Sequence, residues 1–144
     1  MTTVVVREVP VVTAAERTRD TYRAIAADAP YQCPCAFCMN FRALGTTPFP
    51  EDVLGFFDAA GIDLSQPAET YEYHETSQGK HLYGGEYYFF GDVPLGDSSE
   101  LDTSGVFDFV FTSPSPLAQE KFKVEGAVCF QFIVEVPWVI AVAP

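Results

Sequence analysis

Near residue 67 the spacing of apolar positions changes from three and four residues to strict alternation, and the change divides the expected elements. Before it lie helices. Thr13-Ala-Ala-Glu16 has the spacing of a capping box, and Ala15, Thr18, Tyr22, Ile25, Ala26 and Ala29 then form one apolar stripe beside an Arg-rich face. Pro30 ends that helix because it lacks a backbone donor and disfavours helical geometry at Ala29. Tyr31 to Asn40 reads as a knuckle leading into a short helix that Gly45 halts. A further helix starts at Pro50, with Glu51 and Asp52 where the helix dipole favours anions and Val53, Leu54, Phe57 and Ala60 facing inward. Gly61-Ile62 has the form of a Schellman stop, with Ile62 folding back on Phe57.

Strands follow. Thr70 to Glu75 alternates aromatic and polar residues, Thr76 to Lys80 has hairpin-loop length, and His81 to Phe90 returns as an aromatic strand. Gly84-Gly85 inside that strand indicates a bulge or a close backbone approach. Asp92 to Gly105 is polar and turn-rich and is expected to be a mobile surface loop. Val106 to Thr112 places Phe107, Phe109 and Phe111 on one face; Pro114 and Pro116 then break the chain before Leu117 to Val124, a short strand or an irregular arm. Ala127 to Val136 alternates again, with Val128, Phe130, Phe132, Val134 and Val136 on one face and Cys129, Gln131, Ile133 and Glu135 on the other. Near the start, residues 4 to 12 are expected to form a short extended segment that Pro10 restricts to a sheet edge or a chain entry.

Helices first and strands afterwards predict an α+β fold, with the N-terminal helices packed on one face of an antiparallel sheet of about four or five strands. The 144 residues, 48% hydrophobic and 15% aromatic, are expected to form a single domain, 1–144, with one core. No Gly-rich phosphate loop or nucleophile elbow is present in the sequence.

Charge narrows the partners. The formal net charge is −12, and the span 43 to 120 holds fourteen acids and one base, Lys80. Such a field excludes nucleic acid as a natural partner, argues against a membrane surface, and could steer a basic protein toward the sheet half. The N-terminus lacks the pattern of a basic leader with a long apolar stretch, and the apolar C-terminal stretch is broken by Glu135 and Pro137, so a cytoplasmic protein is expected. An exposed N-terminal edge strand would make a homodimer possible.

One cluster carries specific chemistry. Cys33-Pro-Cys35-Ala-Phe-Cys38 combines a Cys-x-x-Cys turn with a third thiol just upstream, a spacing that suits metal or redox chemistry better than a secretory disulfide framework. Tetrahedral zinc would want a fourth ligand, for which Cys129, His74 and His81 are the remaining soft donors. An iron–sulfur cluster has only Cys129 left to complete it. A Cys35–Cys38 dithiol at a helix N-terminus would have a lowered thiol pKa and could form a disulfide. The plainest alternative is that these cysteines are small buried hydrophobes. Asn40 could hydrogen-bond a thiolate or a turn carbonyl, or face solvent. His74 and His81, beside Glu72, Glu75 and Glu86, could form a His–carboxylate pair or be ordinary surface groups; Tyr71, Tyr73, Tyr83, Tyr87 and Tyr88 could line a cleft or simply pack the sheet.

Cys33-x-Cys35-x-x-Cys38-x-Asn40, Gly61-Ile62-Asp63, Tyr71-Glu72-Tyr73, Tyr83-Gly84-Gly85, Tyr88-Phe89-Phe90-Gly91 and Pro137-Trp138-Val139 together resemble a family of short uncharacterised bacterial proteins. The resemblance spans roughly residues 31 to 140. It implies a bacterial cytoplasmic setting and no particular mechanism. Two functions are therefore expected from the residues: a non-enzymatic acidic binding protein that meets a basic partner as an immunity protein does, or a small zinc-site or thiol-redox protein built on Cys33, Cys35 and Cys38.

Overall fold

The computed structural model describes residues 1–104 and 106–144; Gly105, the last residue of the predicted polar loop, lies outside the described residues. The chain order is β1 (Thr2–Val6), β2 (Val9–Thr13), α1 (Ala15–Asp28), α2 (Ala36–Leu44), α3 (Glu51–Ala60), β3 (Glu69–Ser77), β4 (Lys80–Asp92), β5 (Phe107–Thr112) and β6 (Ala127–Pro137). Every strand pairing is antiparallel, in the order β1-β2-β4-β6-β5, with β3 also paired to β4. The α+β class is as expected, but the sheet has six strands rather than four or five.

The extra strands come from the N-terminus, where the single expected segment is a hairpin. Its two turn residues, Arg7 (φ 46°) and Glu8 (φ 69°), both adopt the left-handed conformation that a two-residue hairpin turn requires. Neither is Gly or Asn, so the usual turn signal is missing. The strain is offset by what Arg7 does. Its Nε donates to Asp52 of α3 at 3.0 Å, and its guanidinium lies 5.3 Å from the ring centres of both Phe107 and Phe109 on β5. Thr13 is accordingly not a helix cap. It ends β2, is buried, and donates from Oγ1 to the Thr2 carbonyl at 3.2 Å, while α1 starts after Ala14 without a side-chain cap.

One edge of β4 is paired with β6 over Lys80 to Phe90, and the other is shared by β3, reaching Glu86, and β2, beginning at Gly91. Between those two partners the backbone at Tyr88 and Phe90 has no strand neighbour. Helix α1 fills the gap. The Tyr22 hydroxyl donates to the Tyr88 carbonyl at 2.6 Å and accepts from its N–H at 3.2 Å, and Thr18 Oγ1 accepts from the Phe90 N–H at 2.9 Å. Ala14 N–H completes the set by donating to the Phe90 carbonyl at 2.9 Å. The polar atoms of the predicted α1 stripe thus replace a strand, satisfying backbone groups that would otherwise be buried without partners.

Helices α2 and α3 cover the face of the sheet that carries Tyr83, Tyr87, Phe89, Phe130 and Phe132. Phe41 of α2 stacks on Tyr83 and Phe132, and Phe56 and Phe57 of α3 pack on Phe89, Tyr87 and Phe130. Gly61, in the left-handed conformation, ends α3, and Ile62 N–H bonds back to the Phe57 carbonyl at 2.9 Å, as its Gly-Ile ending predicts. On the opposite face the segment after Pro116 is an irregular arm with one 3₁₀ turn, Glu120–Phe122, whose Phe122 ring stacks on Tyr88.

Gly84 and Gly85 are close approaches rather than a bulge. A Cβ on Gly84 would stand 2.6 Å from the Tyr71 ring, and one on Gly85 would stand 2.6 Å from the Phe132 ring and 2.8 Å from the Glu69 carbonyl oxygen. The irregularities in this hairpin lie on β3, between Glu72 and His74 and between Glu75 and Ser77. The polar loop before β5 is held by its own acids. Asp97 accepts from Ser99 N–H at 2.8 Å, Asp102 from Ser104 N–H at 2.9 Å, and Asp108 from Asp102 N–H at 2.7 Å. No helix among the described residues is long and apolar enough to cross a membrane.

Candidate metal centre

From Pro30 to Pro34 the chain has no regular secondary structure, and α2 begins directly after Cys35. Two prolines in this stretch remove backbone donors and keep the approach to the helix open. Cys35 is the helix N-cap, with extended backbone angles, and its Sγ accepts from the Cys38 N–H at 3.4 Å. One helical turn returns Cys38 to the same end of α2, and Cys33 reaches it from upstream. The result is convergence. The Sγ atoms of Cys33, Cys35 and Cys38 all lie within 4.8 Å of one another, with Cys33 Sγ 3.3 Å from Cys35 Sγ.

The three thiols differ in environment. Cys35 is exposed and Cys33 half-buried, whereas Cys38 is buried. The backbone N–H of Cys38 holds the Cys35 thiol pKa below its ordinary value, as the first turn of a helix does for an anion. Burial pushes the Cys38 thiol up to about 12. Cys38 Sγ faces Thr70 Oγ1 on β3 at 3.6 Å, and the Thr70 hydroxyl is itself hydrogen-bonded to the Tyr31 phenol. Tyr31 is anchored in turn through its N–H to Gln66 Oε1 at 2.8 Å. With Cys38 as a thiolate, an acceptor only, the chain would run one way: Thr70 would donate to sulfur and Tyr31 to Thr70. A cation among the three sulfurs would favour that thiolate form.

The remaining predicted ligands do not join the cluster. Cys129 lies on the opposite face of the sheet, paired with Tyr88, where its thiol donates to Glu86 Oε1 at 3.6 Å. Helix α2 covers the Phe130 and Phe132 face, so the alternation of β6 turns Cys129 away from it. His74 is exposed, with Nδ1 3.3 Å from the Glu75 carbonyl oxygen. His81 comes nearer in the fold. It is 3% exposed, its ring centre is 6.3 Å from that of Phe37 in the first turn of α2 and 5.1 Å from that of Trp138, and its Nδ1 and Nε2 face Glu72 at 3.4 Å and Glu75 at 3.8 Å. Among the described residues, no His, Asp, Glu or fourth Cys completes the three-sulfur group.

Asn40 is neither ligand nor surface group. It is buried, donating from Nδ2 to the Pro137 carbonyl at 3.1 Å and accepting at Oδ1 from Val139 N–H at 2.8 Å, so it docks the C-terminal segment on α2. Trp138 completes that docking, with its backbone N–H on the Gly79 carbonyl at 2.8 Å and its ring against Phe37. Tyr83 secures the first turn of α2 by donating to the Phe37 carbonyl at 2.8 Å. Tyr83, Tyr87 and Tyr88 are fully buried and line no cleft. Glu86 is a residue that sequence reasoning treated only as a neighbour of the histidines. It is 5% exposed and accepts from Tyr88 and Ser115 hydroxyls, each at 2.8 Å. Its signal was a lone carboxylate within the otherwise apolar and aromatic run from Leu82 to Phe90. Compared with family models, curated proteins and solved structures, the chain matches none, so the reading of this centre rests on its own geometry.

Proposed function

We propose that the protein is a small metal-binding protein that holds one zinc ion through Cys33, Cys35 and Cys38. The observation that carries this is the convergence of three sulfurs on the first turn of α2, within 4.8 Å of one another. Three thiolates at about 2.3 Å from one ion fill three corners of a tetrahedron. The fourth corner is left for water or an exogenous donor. All four cysteines are free thiols, which suits the reducing conditions of a bacterial cytoplasm. Elemental analysis of protein purified without chelator should find about one zinc per chain, lost on Cys33→Ser or Cys38→Ser. Less than about 0.2 metal per chain with freely titrating thiols would overturn the reading.

A second reading is favoured by the β3 hairpin. Among the described residues, Glu69, Glu72 and Glu75 make no ion pair with Lys or Arg; the Glu75 side chain is 56% exposed, whereas that of Glu72, which faces His81, is 13% exposed, so Glu69 and Glu75 are the groups open to a partner. Their partner in this reading is a basic protein, and the metal centre steadies the surface that meets it. Capture of a basic protein that weakens with salt and is lost on Glu69→Lys with Glu75→Lys supports this; capture unchanged by both removes it.

A further inference from the structure

Two features of the cysteine cluster do not depend on a metal. Its sulfurs are graded in access, from exposed Cys35 through half-buried Cys33 to buried Cys38. Its two more accessible sulfurs, Cys33 and Cys35, lie 3.3 Å apart across the single residue Pro34.

We infer that in the metal-free protein Cys35 and Cys33 form a reactive dithiol that exchanges with low-molecular-weight disulfides, Cys35 as the attacking sulfur and Cys33 as the resolving one. Attack belongs to Cys35 on two grounds. It is the exposed sulfur, and it receives the Cys38 N–H at the start of α2. Cys38 is poorly placed to resolve. It is buried, and its sulfur faces Thr70 Oγ1 at 3.6 Å, away from solvent. Cys33 has neither handicap, and its thiol already points at Cys35 sulfur.

The chemistry balances in two steps. The Cys35 thiolate attacks one sulfur of a disulfide RS–SR, forming a Cys35–SR mixed disulfide and expelling RS⁻. Cys33, on losing its proton to solvent, attacks the Cys35 sulfur, forming the Cys33–Cys35 bond and expelling the second RS⁻. The protein dithiol is oxidised by two electrons, and the small disulfide is reduced to two thiols. Zinc on the same sulfurs would withhold the Cys35 electron pair, so metal loading and exchange are mutually exclusive.

The test is stopped-flow reaction of the full-length, chelator-treated protein with one equivalent of dithiobis-nitrobenzoate, followed by intact mass and peptide mapping. The unsubstituted chain should release about two coloured thiolates per reagent consumed and carry a Cys33–Cys35 disulfide. Cys33→Ser should release about one and keep the aromatic adduct on Cys35, Cys35→Ser should react at least about tenfold more slowly, and Cys38→Ser should behave as the parent. A persistent adduct on the parent chain, or closure in Cys33→Ser as fast as in the parent, overturns the inference. A parallel arm with added zinc separates it from the metal reading. Exchange unaffected by zinc counts against the metal site alone, whereas zinc uptake without closure in the metal-free chain counts against the dithiol alone.

Discussion

Replacing Tyr22 with Phe removes one oxygen, and the structure assigns that oxygen two tasks. It donates to the Tyr88 carbonyl at 2.6 Å and accepts from the Tyr88 N–H at 3.2 Å, on the edge of β4 opposite β6, where no strand pairs with Tyr88. Tyr22 is 2% exposed and Tyr88 fully buried, so water cannot readily replace the lost hydroxyl. Each backbone group left unsatisfied in such a site costs about 1–3 kcal/mol. Some relaxation is expected, which places the whole loss at about 2–4 kcal/mol. Ring packing against Phe122, with centroids 5.2 Å apart, is kept. Urea denaturation should therefore show a lower midpoint with an unchanged slope, and the Tyr88 amide should lose protection against hydrogen exchange more than amides paired between β4 and β6. Tyr73→Phe, on an exposed ring, is the control and should change stability by less than about 0.5 kcal/mol. A Tyr22→Phe loss as small as the control's would refute the idea that α1 serves as a substitute strand.

Thr70→Val keeps the shape beside Cys38 but removes the hydroxyl that faces its sulfur at 3.6 Å, so zinc affinity measured by chelator competition should fall about 10–100-fold, with Thr70→Ser restoring most of it. Unchanged affinity would show that the Tyr31–Thr70 pair does not support the centre. Cys129 supplies a pH test on the other face. Burial first, and the Glu86 charge second, raise its thiol from 9.0 to about 12. A raised folded-state value means stability that is whole below the unfolded-state pKa and lost as pH rises through the folded one. Denaturation midpoints should fall between about pH 9 and 12 in the parent chain and fall less steeply in Cys129→Ala, compared in the zinc-loaded form so that the other thiols stay ligated. Parallel pH curves for the two chains would refute that assignment.

The sequence was most legible where a signal is local. Gly61-Ile62 marks a helix end whatever surrounds it, the alternation of Phe107, Phe109 and Phe111 marks a sheet face, and three cysteines within one knuckle and one helical turn have little choice but to meet. Long-range relations were less legible. The Arg7-Glu8 turn carries no Gly or Asn because its compensation is supplied from α3 and β5, far along the chain. Thr18 and Tyr22 read as members of a packing stripe, since nothing local tells that β3 and β2 leave a gap between them on β4. The Thr70 contact with Cys38 spans 32 residues of sequence and has no motif. Cys129 is a different case. The parity of β6 already separated it from Phe130 and Phe132, and once the helices cover the aromatic face that parity removes it from the cluster.

Whether three sulfurs of this chain, without a fourth protein donor, hold the proposed metal ion is measured most directly by X-ray absorption at the zinc edge. The expected first shell is about three sulfurs near 2.3 Å and one lighter oxygen or nitrogen scatterer that exchanges with added ligand. Four sulfurs per zinc in the monomeric chain, or zinc bound with no sulfur in its first shell, would contradict it.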